Sequence, residues 1–386
     1  MMRKLVFLLV FINIIMLFSA SPLAAQPVIT GQSAVLIDMT SGQVLYDLDK
    51  DKQLYPASTT KILTAIIAIE SGHLDDVVTV SGNPPRLDGT RVYLEEGEKV
   101  TLRELVEAMM IHSANDAALA IAEHLGGSKE GFAEIMNAKA KEIGAVNSHF
   151  SNPHGLTEKD HYTTAYDLAL IARYAMQNET FRKIAASKVL DWEGQAWQTR
   201  LINKNQLLWD YEGANGVKKG YTPEAKSTLV ASAERDGRSY IAVVLYSSET
   251  QVWKDAAKLL DYGFSNFQQI TLAKPDEVVA TLELDESDKL QVVPRQEFSI
   301  SLPVEEKKNV ETKLFLQPLP EKIEVGQVVG QQVFTVDGEE AGRVELLAAN
   351  EAAAPTSGLP YILFAAFWYS ESLAKYGRLS DAGEED

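Results

Sequence analysis

The spacing of apolar residues divides most of the chain into two folded regions. Residues 26–268 alternate helical periods with short strand-like runs, opening with SAVLIDMTSGQVLYDL, two apolar runs joined by a Ser-Gly turn that predict a β-hairpin. Residues 269–349 carry period-two runs such as VVATLEL, EFSISL and QQVFTV, divided by Pro, Gly and Asp-Gly turns. This pattern predicts a mixed α/β body followed by a small all-β domain.

The first 25 residues have the pattern of a secretory signal peptide. Arg3 and Lys4 precede an apolar run over residues 5–18, and small residues follow up to Ala25. The alternative is a retained membrane anchor, but the run is shorter than the roughly 20 residues of a spanning helix. We therefore expect cleavage after Ala25 and export of the mature protein.

The tail, residues 350–386, contains an apolar stretch of its own. LPYILFAAFWY, residues 359–369, is too short to span a bilayer as a helix. It carries Tyr361, Trp368 and Tyr369, residue types that settle at membrane surfaces. We expect an amphipathic segment that anchors the protein to a membrane surface; the alternative is an element docked on the β domain.

Composition excludes several classes of function. The 386 residues include 36 Lys and Arg against 54 Asp and Glu, a net charge of −18, which argues against a nucleic-acid partner. The absence of cysteine excludes disulfides, cysteine-ligated metal sites and a thiol nucleophile. The six histidines show no paired metal spacing, and no G-x-S-x-G motif supports a Ser-His-Asp hydrolase. We therefore expect no metal and no cofactor.

The first candidate for chemistry is PASTTK, residues 56–61, at the start of the apolar helix ILTAIIAIESG. Ser58 lies three residues before Lys61, so the two side chains share a helix face. A serine hydroxyl needs a base to become a good nucleophile, and a buried lysine can serve because burial lowers its pKa. Alone the signal is weak, because S-x-x-K recurs at Ser372 in the tail.

The second candidate is Ser113-Ala114-Asn115, between two predicted helices. Thr101 and Glu104 form a capping box for the first helix, and AALAIAEHLGG predicts the second. Ser113 and Asn115 therefore occupy a turn, where their side chains can face a cleft. The alternative is that this segment merely caps the second helix.

The third candidate is GVKKGYT, residues 216–222, which opens a predicted strand pair with an Asp-Gly turn. A lysine on a strand beside the Ser58 helix can hold a substrate carboxylate and bias proton transfer electrostatically. K-x-G also occurs at Lys129 and Lys375, but only the match at Lys218 opens a predicted strand pair.

The order S-x-x-K, S-x-N, K-x-G resembles the signature of penicillin-binding proteins and class A β-lactamases. The chain as a whole resembles exported low-molecular-mass penicillin-binding proteins, the serine-type D-alanyl-D-alanine carboxypeptidases of peptidase family S11. HSANDAALAIAEHLGG, FSNPHGLTEKDHYTTAYDLALIARYA and the C-terminal EVGQVVGQQVFTVDGEEAGRVELLA support this. The resemblance implies a β-lactamase-like catalytic domain of helices plus an antiparallel sheet, with a small C-terminal β domain.

The resemblance also implies roles for individual residues. Ser58 would attack the carbonyl of the penultimate D-alanine, with Lys61 as base and Ser113 as proton relay. The substrate would be bound by Asn115, Lys218, Lys219, Gly220, Tyr221 and Thr222. The backbone N–H groups of Ser58 and Tyr221 would form the oxyanion hole. The expected partners are peptidoglycan stem peptides, β-lactam antibiotics and, through the tail, the outer face of the cytoplasmic membrane.

One residue departs from the family pattern: the threonine of K-T-G is Lys219 here. We expect Lys219 to bind the substrate carboxylate as a point charge, with Lys254 as a weakly aligned second cation. Two alternatives remain at this stage, a β-lactamase and a binding module that lost turnover when threonine became lysine. The β domain and tail favour the carboxypeptidase over the β-lactamase, since soluble β-lactamases need neither.

Overall fold

The computed structural model describes residues 26–284, 288–304, 306 and 308–353. The predicted signal peptide (1–25), the apolar stretch of the tail (359–369) and the second S-x-x-K match at Ser372 lie outside these residues. Over the ranges that are described, no helix is long and apolar enough to cross a membrane.

The helices are α1 (Lys61–Glu70), α2 (Leu102–Ile111), α3 (Asn115–Gly126), α4 (Lys129–Ile143), α5 (Ala165–Gln177), α6 (Glu179–Ala186), α7 (Leu207–Asp210) and α8 (Gln251–Asn266). The first ten strands are β1 (Ser33–Asp38), β2 (Val44–Leu48), β3 (Val77–Thr79), β4 (Lys99–Thr101), β5 (Val189–Glu193), β6 (Gln198–Ile202), β7 (Ala214–Thr222), β8 (Lys226–Arg235), β9 (Arg238–Ser247) and β10 (Phe267–Ala273). The remaining strands are β11 (Ala280–Glu283), β12 (Lys289–Pro294), β13 (Phe298–Pro303), β14 (Val310–Leu316), β15 (Lys322–Ile323), β16 (Val328–Val336), β17 (Glu339–Ala348) and β18 (Ala352–Ala353).

A five-stranded antiparallel sheet, in the order β2-β1-β9-β8-β7, forms the centre of the α/β body. Its middle strands are apolar on both faces because both faces are covered by helices. In β1, Val35 and Ile37 join the core that contains α1 and α5, while Ala34 and Leu36 join the core that contains α8. The predicted hairpins β1–β2 and β8–β9 are both present, the latter closed by Asp236-Gly237.

Helix α1 lies at the centre of the larger core. Its residues from Lys61 to Ile69 are all buried, and it packs against α2, α3 and α5. An apolar surface on all sides of a helix is stable only when neighbours surround it, which the sequence KILTAIIAIE already indicates. Lys61, the first residue of α1, is therefore buried in the protein interior.

The C-terminal region is all β, as the period-two runs predict. A five-stranded sheet in the order β11-β12-β17-β16-β14 is accompanied by the pairs β10–β13 and β15–β18. Strand β18 pairs with β15, so the last described strand pair includes Ala352 and Ala353. The whole confirms the predicted fold class, a mixed α/β domain with an antiparallel sheet followed by a small β domain.

A buried polar contact joins the two regions. The Ser301 hydroxyl on β13 donates a hydrogen bond to the Asp38 carboxylate at the end of β1, and both residues are buried. The Arg238 guanidinium donates to the backbone carbonyls of Phe264 and Phe267, at the junction of α8 and β10. Because buried polar groups need hydrogen-bond partners, the Ser301–Asp38 contact helps to fix how the two regions meet.

Candidate active site

Ser58 lies in a single 3-10 turn, Ala57–Thr60, that leads directly into α1. Two hydroxyls hold the turn, because Thr59 Oγ1 and Thr228 Oγ1 on β8 both donate to the Pro56 carbonyl, at 2.7 and 2.9 Å. Ala57 has a φ of +50°, a left-handed conformation that costs energy for a residue with a Cβ. The strained turn leaves Ser58 half-buried while its neighbours are buried.

Lys61 places its amine beside Ser58. Its Nζ donates to Ser58 Oγ at 3.1 Å, to Asn115 Oδ1 at 2.8 Å and to the His154 carbonyl at 2.6 Å. Burial lowers the pKa of Lys61 well below its usual range, and the nearby cations Lys218 and Lys204 lower it further. A neutral amine can keep its bonds to Asn115 and His154 and use its lone pair to accept the Ser58 proton.

Ser113 and Asn115 lie at the junction of α2 and α3, as the sequence predicts. Ser113 is buried in the turn with a φ of +74°, and Asn115 is the first residue of α3. Asn115 bridges the site, because its Oδ1 accepts from Lys61 while its Nδ2 donates to the Asp88 carbonyl at 2.8 Å. Within the described ranges, no hydrogen bond joins the Ser113 hydroxyl to Ser58 or Lys61.

Strand β7 carries the third motif along the edge of the central sheet. The Lys218 side chain is buried, and desolvation, reinforced by Lys204 and Lys219, lowers its pKa to about 7. Thr222 is buried at the end of the strand, and its Oγ1 lies 2.9 Å from Thr157 Oγ1, whereas Tyr221 is exposed. The motif therefore presents one buried cation and an exposed edge.

Gly220 allows β7 to approach the Ser58 turn. A Cβ at this position would lie 2.7 Å from the Ser58 amide nitrogen and 2.5 Å from Thr228 Oγ1, closer than real Cβ contacts. Only glycine therefore lets the backbone of β7 lie against the Ser58 amide. The Tyr221 amide follows one residue later on the same edge strand.

Lys219 and Lys204 extend the cationic surface around Lys218. Lys219 Nζ lies 3.7 Å from Glu249 Oε1, in the connection between β9 and α8. The pKa of Lys204 is lowered by burial and then by the charge of Lys219. The sequence analysis missed Lys204. The side-chain amide of the next residue, Asn205, donates to the Gly216 carbonyl and ties this segment to β7. Lys254 is exposed on α8, and among the described residues it has no hydrogen-bond or ion-pair partner.

Two further elements support the site without having been predicted as functional. The SNPHGL segment forms a tight turn in which Asn152 Oδ1 accepts from the Gly155 amide at 2.7 Å, which aims the His154 carbonyl at Lys61. Asp116 is fully buried and accepts from the amides of Val92 and Leu94, so it fixes the segment that contacts α3. The Asn-Pro-His-Gly turn chemistry was visible in the sequence; the Asp116 contact was not.

Across the part of the chain that the structure describes, no cluster of three or more His, Cys, Asp or Glu side chains is arranged to hold a metal ion. The side chains gathered here are instead a serine, lysines, an asparagine and backbone groups. This set is suited to acyl transfer through the serine hydroxyl.

Comparison with family models gives two matches that together span most of the chain. Residues 21–249 match the model described as Peptidase_S11, D-alanyl-D-alanine carboxypeptidase. Residues 267–354 match the model described as the C-terminal domain of penicillin-binding protein 5.

Individual relatives agree with these models. The D-alanyl-D-alanine carboxypeptidase DacF of Bacillus subtilis is 35% identical over 327 residues, covering 80% of this chain and 82% of its own. DacC of Escherichia coli, of the same description, is 32% identical and covers 83% of this chain and 84% of its own. Penicillin-binding protein 5 from Haemophilus influenzae superposes with a TM-score of 0.73 at 29% identity, over 85% of this chain and 99% of that one.

Proposed function

The chain belongs to the D-alanyl-D-alanine carboxypeptidases of peptidase family S11, and we propose that it removes the terminal D-alanine of peptidoglycan stem peptides with Ser58 as nucleophile and Lys61 as base. The observation that carries the residue assignment is the 3.1 Å contact between Lys61 Nζ and Ser58 Oγ, on a lysine whose pKa is lowered by burial. A buried lysine with a lowered pKa in contact with a serine hydroxyl is the arrangement that general-base activation of the serine requires.

The reaction proceeds in two half-reactions. Ser58 Oγ attacks the carbonyl carbon of the penultimate D-alanine while its proton passes to Lys61 Nζ. The proton then reaches the nitrogen of the leaving D-alanine through the Ser113 hydroxyl, and the C–N bond breaks to leave an ester on Ser58. Water hydrolyses this ester, which releases the shortened peptide and restores the serine.

Strand β7 supplies the surface on which the peptide lies. No described strand lies beside its outer edge in the central sheet, so an extended peptide can pair with it through backbone hydrogen bonds. We place the oxyanion hole at the Ser58 and Tyr221 amides, because Gly220 lets β7 approach the Ser58 amide. Such a donor contributes about 3 kcal/mol to transition-state stabilisation in comparable enzymes.

The cations around β7 receive the negative end of the substrate. Lys204 and Lys219 both lower the pKa of Lys218, and Lys219 also lowers that of Lys204, so the three lysines form a positive region on a chain of net charge −18. Asn115 binds the substrate backbone on the other side, and Thr222 closes the end of the strand. The same site takes a β-lactam as an analogue of the D-alanyl-D-alanine terminus.

The sequence patterns of residues 1–25 and 359–369 support a location outside the cytoplasm at a membrane surface. The pattern of residues 1–25 supports export, and the aromatic-flanked stretch 359–369 supports attachment to the outer face of the cytoplasmic membrane. Peptidoglycan lies on that side, so the proposed substrate and the proposed location agree.

Labelled penicillin tests the nucleophile. We expect one covalent adduct on Ser58, located by mass spectrometry of a tryptic digest, together with release of D-alanine from a peptide ending in D-Ala-D-Ala. Ser58→Ala should lose both, whereas Ser372→Ala, the serine of the other S-x-x-K sequence, should keep both. An adduct that survives Ser58→Ala would overturn the assignment. Rapid hydrolysis of penicillin would favour a β-lactamase, and an adduct without D-alanine release a binding module.

A further inference from the structure

Among the described residues, Lys219 has one carboxylate partner, Glu249. Its Nζ lies 3.7 Å from Glu249 Oε1, a separation typical of an ion pair but longer than a hydrogen bond. The Glu249 side chain is 67% exposed and the Lys219 side chain 22% exposed. A pair with this geometry is weak, because one partner remains hydrated and no hydrogen bond fixes it.

The remaining contacts of Lys219 orient it along β7. Its Nζ lies over the Tyr221 ring at 5.9 Å from the centroid, within the range of a cation–π interaction. Its charge lowers the pKa of both Lys218 and Lys204, so it belongs electrostatically to the same positive region. Glu249 thus places an exposed carboxylate beside the cations that the proposed function assigns to the substrate carboxylate.

We propose that Glu249 is a specificity-determining residue that competes with the terminal carboxylate of the substrate for Lys219. This inference rests on the proposed function. In the free enzyme Glu249 neutralises Lys219, and a bound peptide exchanges its own carboxylate for that of Glu249. The pair therefore weakens the binding of ligands that end in a carboxylate.

The exchange has a distinctive dependence on salt. When one carboxylate replaces another at Lys219, the number of ion pairs is unchanged, so screening affects the free and bound states alike. Without Glu249 the substrate forms a new ion pair, and salt weakens binding more steeply. Without Lys219 neither contact exists, and Glu249 has nothing to compete for.

The test is a double-mutant cycle with Glu249→Gln, Lys219→Thr and the combined variant. Glu249→Gln should lower KM for a D-Ala-D-Ala peptide by about two- to five-fold, the range for a partly exposed ion pair, with kcat unchanged. In the Lys219→Thr background the same change should have no effect on KM. The same variants should also be made in a Ser58→Ala background, where acylation cannot occur, and titrated with the peptide. The ratios of Kd between variants should equal the ratios of KM.

The matched control is Glu179→Gln, which removes an exposed glutamate paired with Lys183 at 2.7 Å on α6. It changes net charge by the same amount and should leave KM and its salt dependence as in the native protein. KM should rise with salt most steeply in Glu249→Gln, less in the native protein and least in Lys219→Thr.

Three results would overturn the proposal: an unchanged KM in Glu249→Gln, a KM that rises because Glu249 helps Lys219 to bind, or the same decrease in the Lys219→Thr background. None of these results bears on the nucleophile. The proposed function fails separately, when the native protein forms no Ser58 adduct or releases no D-alanine.

Discussion

At Lys61 and Lys218, burial determines the protonation state more strongly than neighbouring charges do. Desolvation is the largest contribution to the lowered pKa of each lysine, and the other lysines of the site act in the same direction. The buried Asp116 opposes this at Lys61, but its effect is smaller. A cluster of cations in a low-dielectric environment thus keeps one amine available as a base while another can still carry charge.

Replacement of Lys218 should shift the pH dependence of acylation. As the proposed base, Lys61 has to be neutral to accept a proton, so we expect the acidic limb of the rate profile to report its protonation. Lys218→Gln removes a positive charge that lowers the pKa of Lys61; that pKa should rise, and the acidic limb should move to higher pH. The maximal acylation rate should also fall by more than about tenfold, each tenfold corresponding to about 1.4 kcal/mol of barrier.

Lys218→Arg is the matched control for this shift. Arginine keeps the charge, so the acidic limb should stay in place, while the alkaline limb expected from a lysine pKa of about 7 should disappear. The measurement is the second-order rate of penicillin acylation between pH 5 and 10. An acidic limb that stays in place in Lys218→Gln would show that the two lysines are not coupled.

At the scale of elements, the active site depends on a buried histidine that links two segments. His161 Nδ1 accepts from the Ser151 amide at 3.0 Å, so the proton resides on Nε2, which lies 2.8 Å from Thr60 Oγ1 and donates to it. Burial lowers the pKa of His161 to about 3. The neutral ring therefore joins the SNPHGL turn to the Ser58 turn.

This link predicts acid sensitivity of the fold. The pKa of His161 is about 3 in the folded protein and 6.5 in the unfolded chain. Between pH 3 and pH 6.5 the unfolded chain therefore binds one more proton at this residue than the folded protein does. The contribution of neutral His161 to the free energy of unfolding is therefore fully present above pH 6.5. It is lost as the pH falls towards 3, at up to about 1.4 kcal/mol per pH unit. Urea unfolding of His161→Gln should show lower stability at pH 7 and a shallower decrease between pH 6.5 and 4. A slope equal to that of the native protein would contradict this role.

At the scale of the whole molecule, the proposed catalytic residues all lie in the α/β body. Ser58, Lys61, Asn115 and Lys218 all precede α8, and the β domain contacts the body at the far end of β1 through Ser301 and Asp38. The last described strand, β18, ends at Ala353. Along the chain, the β domain therefore lies between the α/β body and the tail that the sequence predicts to bind a membrane.

Truncation after Ala353 should therefore separate attachment from catalysis. We expect the shortened protein to leave the membrane fraction of cells and to keep kcat/KM on a soluble peptide within about twofold, because no proposed site residue is removed. Fractionation followed by a D-alanine release assay measures both. Shortened protein that still sediments with membranes, or loses activity, would show that the tail has a structural role.

The sequence alone determined the features that depend on neighbours along the chain. The three-residue spacing of Ser58 and Lys61 places them on one turn, the capping box starts α2, and the period-two runs predict the β domain. The β1–β2 hairpin likewise follows from two apolar runs joined by a short Ser-Gly turn.

Only the tertiary structure decided which distant groups meet. The His154 carbonyl and Asn115 Oδ1 both accept from Lys61, across 93 and 54 positions of sequence. The pairing of Lys219 with Glu249 and the placement of Lys204 beside them likewise depend on how β7, the β9–α8 connection and the segment before α7 pack. Sequence periodicity specifies the face of an element that is buried, whereas the pKa of a lysine depends on every charge and dipole that packing brings within a few ångströms of it.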